Sequence, residues 1–321
     1  MNKAFALALV ASMPLTAACS GSTDSNAPTI GGDATTTTST GAGGTMGGGG
    51  SAGTGGSAPM GDVVTLKMDE FPVAKGEEVY KCQNFANPFG GQGDIQEFAS
   101  HMSAGSHHML LFYEADATDG PLEDCSGLEF QATPYGSQQP DDSLTFPPGV
   151  AASFPSNYGI RLQAHYLNTT ADAITAQVEV DFTMAEPGTV QQYAGVLFMV
   201  QTDIHVPPHE TQTVTRDCSV PFDMNVIKAS SHMHQHGINF TSTVANQPFF
   251  DTTAWSDPVP ELFSPAKPLT NGDPIHFACT FENAGDTTLT FGESAQTNEM
   301  CILTASFYPV LDPSQVTVDC N

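Results

Sequence analysis

Short apolar runs separated by proline and glycine are the feature that most constrains the fold of this chain. Residues 63–68 and 109–113 are two such runs, and the 321-residue chain contains 23 prolines and 30 glycines. Apolar residues at helical spacing are hard to find. Because short, bounded runs rich in β-branched and aromatic residues are typical of strands, the sequence predicts an all-β protein.

Length and charge narrow the class of protein. Once a non-globular start is set aside, roughly 260 residues remain, which is enough for two domains of ordinary size. The chain has 35 acidic and 8 basic residues, for a formal charge of −27. That charge argues against a nucleic-acid partner, which requires a basic surface, and it suits a soluble exported protein.

Residues 1–19 are predicted to be an export signal. A charged start precedes an apolar run at residues 4–11, which is too short to span a membrane. Residues 15–19 resemble a bacterial lipobox, in which the cysteine, here Cys19, is lipidated and becomes the mature N-terminus. Thr16 departs from that pattern, since an aliphatic residue is usual there. The alternative is ordinary cleavage after Ala18 and plain secretion.

Residues 20–62 are dominated by Gly, Ser, Thr and Ala and are predicted to form a flexible linker. Lipidation of Cys19 would use one of the seven cysteines and leave an even six. We therefore expect an exported bacterial lipoprotein, periplasmic or on the cell surface, which meets a membrane only through its lipid anchor.

A His-x-His pattern supplies the first candidate site. His232 and His234 are alternate residues of an extended segment, so both project from one face and can share a metal ion. Alone this pair would be weak support for a site, because solvated strands carry such pairs by chance. His236 falls on the same face, but we expect it to lie near the surface and outside the metal site.

Three further stretches support a metal site: His107-His108, His165 and Met300. Adjacent residues on a strand point to opposite faces, so His107 and His108 can bind one metal only where the strand is irregular. Taken alone, His165 would be a core histidine and Met300 would be core filler. The histidines without a partner pattern are His101, His205, His209 and His276.

Together these motifs resemble the copper type II, ascorbate-dependent monooxygenases. The segments 107–110, 162–166, 232–237 and 299–301 occur in the order and approximate spacing of that family. The resemblance, which extends over residues 63–320, implies two tandem antiparallel β-sandwich domains of jelly-roll type. It also implies one copper site on each domain, facing each other across a solvent-filled cleft. The expected domains are residues 63–183 and 184–321.

The resemblance implies which residues hold the two coppers. One copper would bind His107, His108 and His165, and the other, at the catalytic site, would bind His232, His234 and Met300. An uncharged imidazole pair with a thioether favours Cu(I), whereas zinc usually takes His with Cys or carboxylate. A set of three histidines could also hold zinc, so Met300 carries the preference for copper.

The activity that the resemblance implies is hydroxylation of a C–H bond in a small organic or peptide-like substrate. Dioxygen would be the co-substrate and ascorbate the expected reductant. The alternative is a copper-binding lipoprotein that captures or delivers copper without turning over a substrate. The presence of two sites favours the enzyme, because simple capture could use one.

The chain departs from the peptide-hydroxylating branch of the family where that branch anchors a carboxylate. The branch uses Arg, Asn and Tyr, and the matching positions here are Ser230, Ile302 and Thr304. None of these can make the forked, charged contact of an arginine. Lys228, two residues before Ser230 on the same strand face, is the nearest cation and only a weak substitute for the arginine. We therefore do not expect peptide amidation.

Six cysteines after Cys19 allow fifteen disulfide pairings, and spacing alone does not choose among them. Cys82 and Cys125 lie in the first half of the chain and the other four in the second. The family pattern implies the pairs Cys82–Cys125, Cys218–Cys320 and Cys279–Cys301.

Overall fold

A computed structural model describes residues 61–127, 132–313 and 316–320. The predicted signal, Cys19 and the linker up to residue 60 lie outside these residues. The described residues are all-β, as predicted, and none of them forms a helix long and apolar enough to cross a membrane.

The first half of the chain contributes twelve strands with short turns between them. Their bounds are β1 Val63–Lys67, β2 Phe71–Val73, β3 Glu78–Phe85, β4 Gly93–Met102, β5 Ser106–Ala115, β6 Glu123–Asp124, β7 Tyr135–Ser137, β8 Asp141–Thr145, β9 Val150–Phe154, β10 Tyr158–Leu167, β11 Ile174–Ala176 and β12 Val178–Met184.

The second half contributes a further twelve strands. Their bounds are β13 Gln192–Tyr193, β14 Gly195–Gln201, β15 His205–Val206, β16 Thr211–Ser219, β17 Met224–His232, β18 Gly237–Val244, β19 Gln247–Thr252, β20 Glu261–Leu269, β21 Pro274–Glu282, β22 Leu289–Thr290, β23 Cys301–Tyr308 and β24 Thr317–Val318.

Two sheets enclose the core of the first half. One has the order β1-β12-β4-β9-β13, with β8 also paired to β4, and the other has the order β6-β3-β10-β5-β7. Alternate residues of these strands face inward, and Phe98, Phe154 and Phe182 are fully buried between them. This period-two burial is what a strand with one packed face requires.

The second half has its own core between a five-stranded sheet, β20-β17-β23-β14-β24, and a four-stranded sheet, β16-β21-β18-β19. Phe240, Phe277 and Phe281 are fully buried in it. The predicted boundary between residues 183 and 184 falls at the end of β12. The division at that point remains a prediction, because β13 pairs in parallel with β9 of the first half.

The structure contains the three disulfides that the resemblance implies: Cys82–Cys125, Cys218–Cys320 and Cys279–Cys301. Each of the first two ties a strand to a later segment of the same half. The third joins β21 to the first residue of β23, directly after Met300, and thereby fixes the backbone that carries the thioether.

Candidate metal centre

A β-bulge at the start of β5 brings two adjacent histidines to one site. In the ladder with β10, His108 pairs with His165 and Ser106 pairs with Tyr166, so His107 is the extra, unpaired residue. A bulge re-aims the side chain at the irregularity. The rings of His107 and His108 consequently lie with their centroids 5.2 Å apart.

His165, opposite His108 on β10, is held in a fixed orientation by two residues of β3. Its Nε2 donates to Glu78 Oε1 at 2.8 Å, and the ring of Tyr80 stacks on it with centroids 3.8 Å apart. Burial would raise the pKa of Glu78, but hydrogen bonds from His165, the Ala295 amide and Ser294 lower it to about 2. Because Glu78 is an anion that accepts the Nε2 proton, the His165 lone pair is on Nδ1.

The His-x-His pair lies where β17 ends and turns into β18. His232 is the last residue of β17, and the amide of Gly237 donates to the carbonyl of His234 at 2.9 Å to close the turn. A Cβ on Gly237 would lie 2.8 Å from Met233 Cβ and 3.1 Å from the His234 carbonyl oxygen. Only glycine therefore fits this turn without a shift of the backbone that carries His234.

Hydrogen bonds also fix both rings of the pair. His232 Nδ1 donates to Gln138 Oε1 at 2.7 Å, and His234 Nδ1 donates to the carbonyl of Asn298 at 3.2 Å. Each ring is left with an Nε2 lone pair. Gln138 also donates through its amide nitrogen to the carbonyl of Ser231, which sets the orientation of the Gln138 amide.

Buried Glu299, in the segment just before β23, holds the turn in place through hydrogen bonds. Its carboxylate accepts from the amides of His234 at 3.0 Å and His236 at 2.8 Å, and from His236 Nδ1 at 3.0 Å. Burial raises its pKa, and the hydrogen bonds from His236 and the two amides oppose that rise. His236 thus bonds to Glu299 and lies outside the histidine cluster.

Met300 follows Glu299 directly and is buried, with 3 % of its surface exposed. It lines the same cavity as His108 and His232. β17 and β23 pair His232 with Ile302, so continuing the register by two residues places Met300 level with His234.

The five histidines form one cluster, which differs from the solvent-filled cleft that we expected. The centroid of His232 is 4.9 Å from those of both His107 and His108, and the centroids of His107 and His234 are 5.6 Å apart. The rings pack directly across the two halves of the chain because they are uncharged and buried, with at most 8 % of each residue exposed. The expectation of a water-filled gap between the two ligand sets is therefore wrong for this structure.

Two sets of three ligands can be drawn from this cluster, and they share His107. In His107, His108 and His165, one ring nitrogen from each lies within 4.8 Å of the others, and the same holds for His107, His232 and His234. The assignment of His107 to the first copper and of Met300 to the second remains a prediction.

The cluster fits a metal that takes neutral nitrogen donors. Eleven buried side-chain nitrogen and oxygen atoms in the described residues have no hydrogen-bond partner, and seven of them are ring nitrogens of these five histidines. Buried polar atoms are normally satisfied, so this concentration calls for a ligand. Burial lowers the pKa of every one of the five, to about 3 for His234, which keeps the rings in the neutral form that binds metal.

Several residues of the site carry no sequence signal. Glu78, Gln138 and Glu299 act through ring nitrogens or backbone amides that come close only in the folded chain. The ring centroids of Trp255 and His107 lie 5.5 Å apart. Trp255 is the single tryptophan of the chain, which is the one sequence feature that could have drawn attention to it.

The remaining histidines lie away from the cluster. His101, His209 and His276 form exposed pairs with Asp141, Asp286 and Asp217. His205 is exposed on β15. These positions agree with the expectation that the four have no part in the metal site.

Comparison with known proteins identifies one sequence family. Residues 192–320 match the family profile described as the copper type II ascorbate-dependent monooxygenase, C-terminal domain. The chain is also 24 % identical over 252 residues to peptidyl-glycine alpha-amidating monooxygenase A of Xenopus laevis, a match that covers 72 % of this chain. It spans only 26 % of the length of that relative.

Similarity to solved structures is low. The glycosylasparaginase PNGase F of Flavobacterium meningosepticum matches with a TM-score of 0.36 at 8 % identity, covering 81 % of this chain and 98 % of that one. The major capsid protein P2 of bacteriophage PM2 matches with a TM-score of 0.30 at 8 % identity, covering 77 % and 98 % of the two chains.

Proposed function

We propose that this chain is a copper-dependent monooxygenase, because residues 192–320 match the profile of the copper type II ascorbate-dependent monooxygenase family. It hydroxylates a C–H bond of a small organic or peptide-like substrate with O2 and a reductant such as ascorbate. One oxygen atom enters the product as a hydroxyl group, and two electrons and two protons from the reductant release the other as water. The observation that carries the proposal is the buried group of five neutral imidazoles with seven unpartnered nitrogens.

In this proposal His107, His108 and His165 hold one copper, and His232, His234 and Met300 hold the other. Bound copper would supply the O2 activation and one-electron transfer that amino-acid side chains cannot. The mixed set of two imidazoles and a thioether supports Cu(I) over zinc.

The protein's own contribution is to fix which ring nitrogen is offered. Glu78 holds the proton of His165 on Nε2, while Gln138 and Asn298 hold those of His232 and His234 on Nδ1. Such partners of ligand histidines typically change metal affinity about 10–100-fold when they are removed. These hydrogen bonds thus preorganise the ring nitrogens for metal binding.

Export remains part of the proposal. Six cysteines joined in three disulfides support an oxidising compartment, where such bonds persist. We keep the prediction of an exported lipoprotein with a lipid anchor on Cys19.

Metal analysis and an oxygen-consumption assay test this function. The purified protein should bind two coppers, consume O2 in the presence of ascorbate and a C–H substrate, and yield a product heavier by one oxygen atom. His107→Ala should abolish steady-state turnover, whereas His209→Ala, at an exposed histidine, should not. Two tightly bound coppers without substrate-dependent O2 consumption across a broad panel would support copper capture instead.

A further inference from the structure

The outer face of the five-stranded sheet in the second half, which points away from that half's own core, forms the floor of a cavity next to the metal centre. In the pairing of β14, β23 and β17, Ser306 lies between Val196 and Lys228, and Thr304 lies between Phe198 and Ser230. Side chains of directly paired residues point to the same side of a sheet, so these six face the cavity together, as does His232 further along β17.

The first half supplies the opposite wall. Tyr135, Gln138, Asp142 and Leu144 line it, and Met300 and His232 mark the end beside the metal centre. The cavity volume is about 120 Å³. An engineered protein cavity of about 150 Å³ holds benzene, so the enclosed part of a ligand here is of single-ring size.

The described residues that line the cavity carry no net charge. Among them, apart from neutral histidines, the side chains with a formal charge at pH 7 are Lys228 and Asp142. Lys228 Nζ donates to Asp142 Oδ2 at 2.6 Å, and the two side chains are only 9 % and 11 % exposed. Lys228, the cation nearest to the family's carboxylate anchor, is therefore already paired across the two halves of the chain.

The rim of the cavity is apolar. Pro258 and Pro260 line it, and Val259 between them is 76 % exposed. Leu262 of the neighbouring strand β20 is 64 % exposed. It pairs with Lys228 of β17 and so lies beside the cavity. Exposed apolar side chains grouped at a concave site favour an apolar ligand.

We propose that this cavity binds an uncharged, largely apolar molecule of about single-ring size, and that the Lys228–Asp142 pair excludes carboxylates. This rests on the proposed function, because the cavity would hold the substrate of that reaction. The hydroxyls of Ser230, Thr304 and Ser306 offer hydrogen bonds to a neutral polar group such as an amide or alcohol. A carboxylate would have to displace Asp142 or be buried unpaired beside it, and both are costly.

Equilibrium binding to the copper-loaded wild-type protein tests the proposal without reliance on turnover. Phenylacetamide and phenylacetate have nearly the same shape and differ in charge, and their affinities can be measured by ligand-observed NMR. We expect the amide to bind at least about tenfold more tightly than the acid, since an unpaired or like-charged contact costs well over 1 kcal/mol. Equal affinities, or tighter binding of the acid, would overturn the proposal.

Asp142→Asn tests the role of the ion pair. The substitution leaves Lys228 as the one charged side chain among the described residues that line the cavity, so phenylacetate should gain at least about tenfold relative to phenylacetamide. The matched control is Asp141→Asn, because Asp141 is exposed, pairs with His101 and does not line the cavity. The control should keep the wild-type preference, and an unchanged preference in Asp142→Asn would refute the role assigned to the pair.

Failure of the two proposals can be told apart. If the protein binds the amide selectively but never hydroxylates any neutral compound, the monooxygenase proposal fails and the cavity proposal holds. If it hydroxylates carboxylates as readily as their amides, the cavity proposal fails and the monooxygenase proposal holds. Should Asp142→Asn fail to fold, as judged by circular dichroism, the wild-type comparison of acid and amide still decides the question.

Discussion

His107 occupies the one position where β5 loses register with β10, and this single residue reconciles the His-His dipeptide with a shared site. Neighbouring residues of a regular strand diverge to opposite faces. With His107 as the extra residue of a bulge, its ring nitrogen lies within 4.8 Å of those of His108 and His165. The same ring also contacts His232 of the other half, at a centroid distance of 4.9 Å.

In the proposed assignment, Met300 is the residue on which the choice of copper over zinc depends. Met300→Ile keeps a buried apolar side chain of similar volume, so we expect a loss of stability below about 1.5 kcal/mol. Cu(I) binding should weaken at one site and stay intact at the other, because only one site loses its thioether. Titration against a Cu(I) chelator measures both affinities.

The matched control for Met300 is Met199→Ile. Met199 is equally buried but faces the hydrophobic core from β14. It should show a similar change in stability with no change in copper binding. Equal loss of both coppers in Met300→Ile, or two undiminished tight sites, would refute the assignment of Met300.

The carboxylate of Glu78 accepts hydrogen bonds from both halves of the chain. It accepts from His165 of the first half and from Ser294 and the Ala295 amide of the second, just before Glu299 and Met300. Glu78→Gln removes the charge that holds the His165 proton on Nε2. We expect copper affinity at the three-His site to fall about 10–100-fold.

Competition binding and the Cu(II) electron paramagnetic resonance signal of the variant measure the Glu78 effect. The neighbouring Glu77→Gln is the control, since Glu77 is exposed and its carboxylate accepts from the nearby Ala74 amide and not from a histidine of the cluster. An unchanged signal and affinity in Glu78→Gln would contradict the positioning role.

At the scale of the elements, strands and ligand motifs could be predicted from local pattern, but their supports could not. His232 and His234 are visible as a spaced pair, and residues 109–113 as an apolar strand. The bulge at His107 depends on the register of two strands more than fifty residues apart. The hydrogen bond between Gln138 and His232 likewise joins residues that are far apart in the sequence. Such partners are specified only by tertiary packing, which a period in the sequence does not encode.

Two disulfides should separate global stability from site geometry. Cys218–Cys320 closes a loop of 102 residues and Cys279–Cys301 one of 22. Loop-closure entropy predicts that removing the first pair costs about 4–5 kcal/mol and the second about 3 kcal/mol. Copper affinity should show the opposite order, because only Cys301 adjoins Met300.

Paired Cys→Ala variants of each bridge, compared by denaturant unfolding and copper titration, test this prediction. We expect the Cys218/Cys320 variant to be the less stable of the two and to keep both coppers. The Cys279/Cys301 variant should be more stable but weaker at the site with Met300. Parallel losses of stability and copper affinity in both variants would show that Cys279–Cys301 has no special role at the metal.

At the scale of the whole molecule, the two halves meet through the metal-site residues themselves. Each half packs its own aromatic core, with Phe154 in one and Phe277 in the other. Between the halves lie the five imidazoles, the Lys228–Asp142 pair and the hydrogen bond from Tyr80 to the Glu293 carbonyl. This contact between the halves could not be predicted from the sequence, because each expected set of three ligands lies within one half of the chain. The interface is therefore sensitive to the charge of its histidines.

This sensitivity predicts a pH dependence for the metal-free protein. Burial holds the pKa of each clustered histidine below the value of about 6.5 expected in the unfolded chain. Above pH 7 both states hold these rings neutral. As pH falls from 7 to 5, these histidines become protonated in the unfolded state and stay neutral in the folded state, so the free energy of unfolding decreases. Each ring contributes up to about 1.4 kcal/mol per pH unit.

Denaturant unfolding of the metal-free protein between pH 7 and 5 measures this slope. His108→Gln should make the slope shallower, because one buried ring no longer differs in protonation between the two states. The two proteins keep the same carboxylates, so the difference in slope isolates the cluster. Identical slopes in the wild type and His108→Gln would mean that the five rings are not packed together in solution, and that the halves stand apart until metal binds.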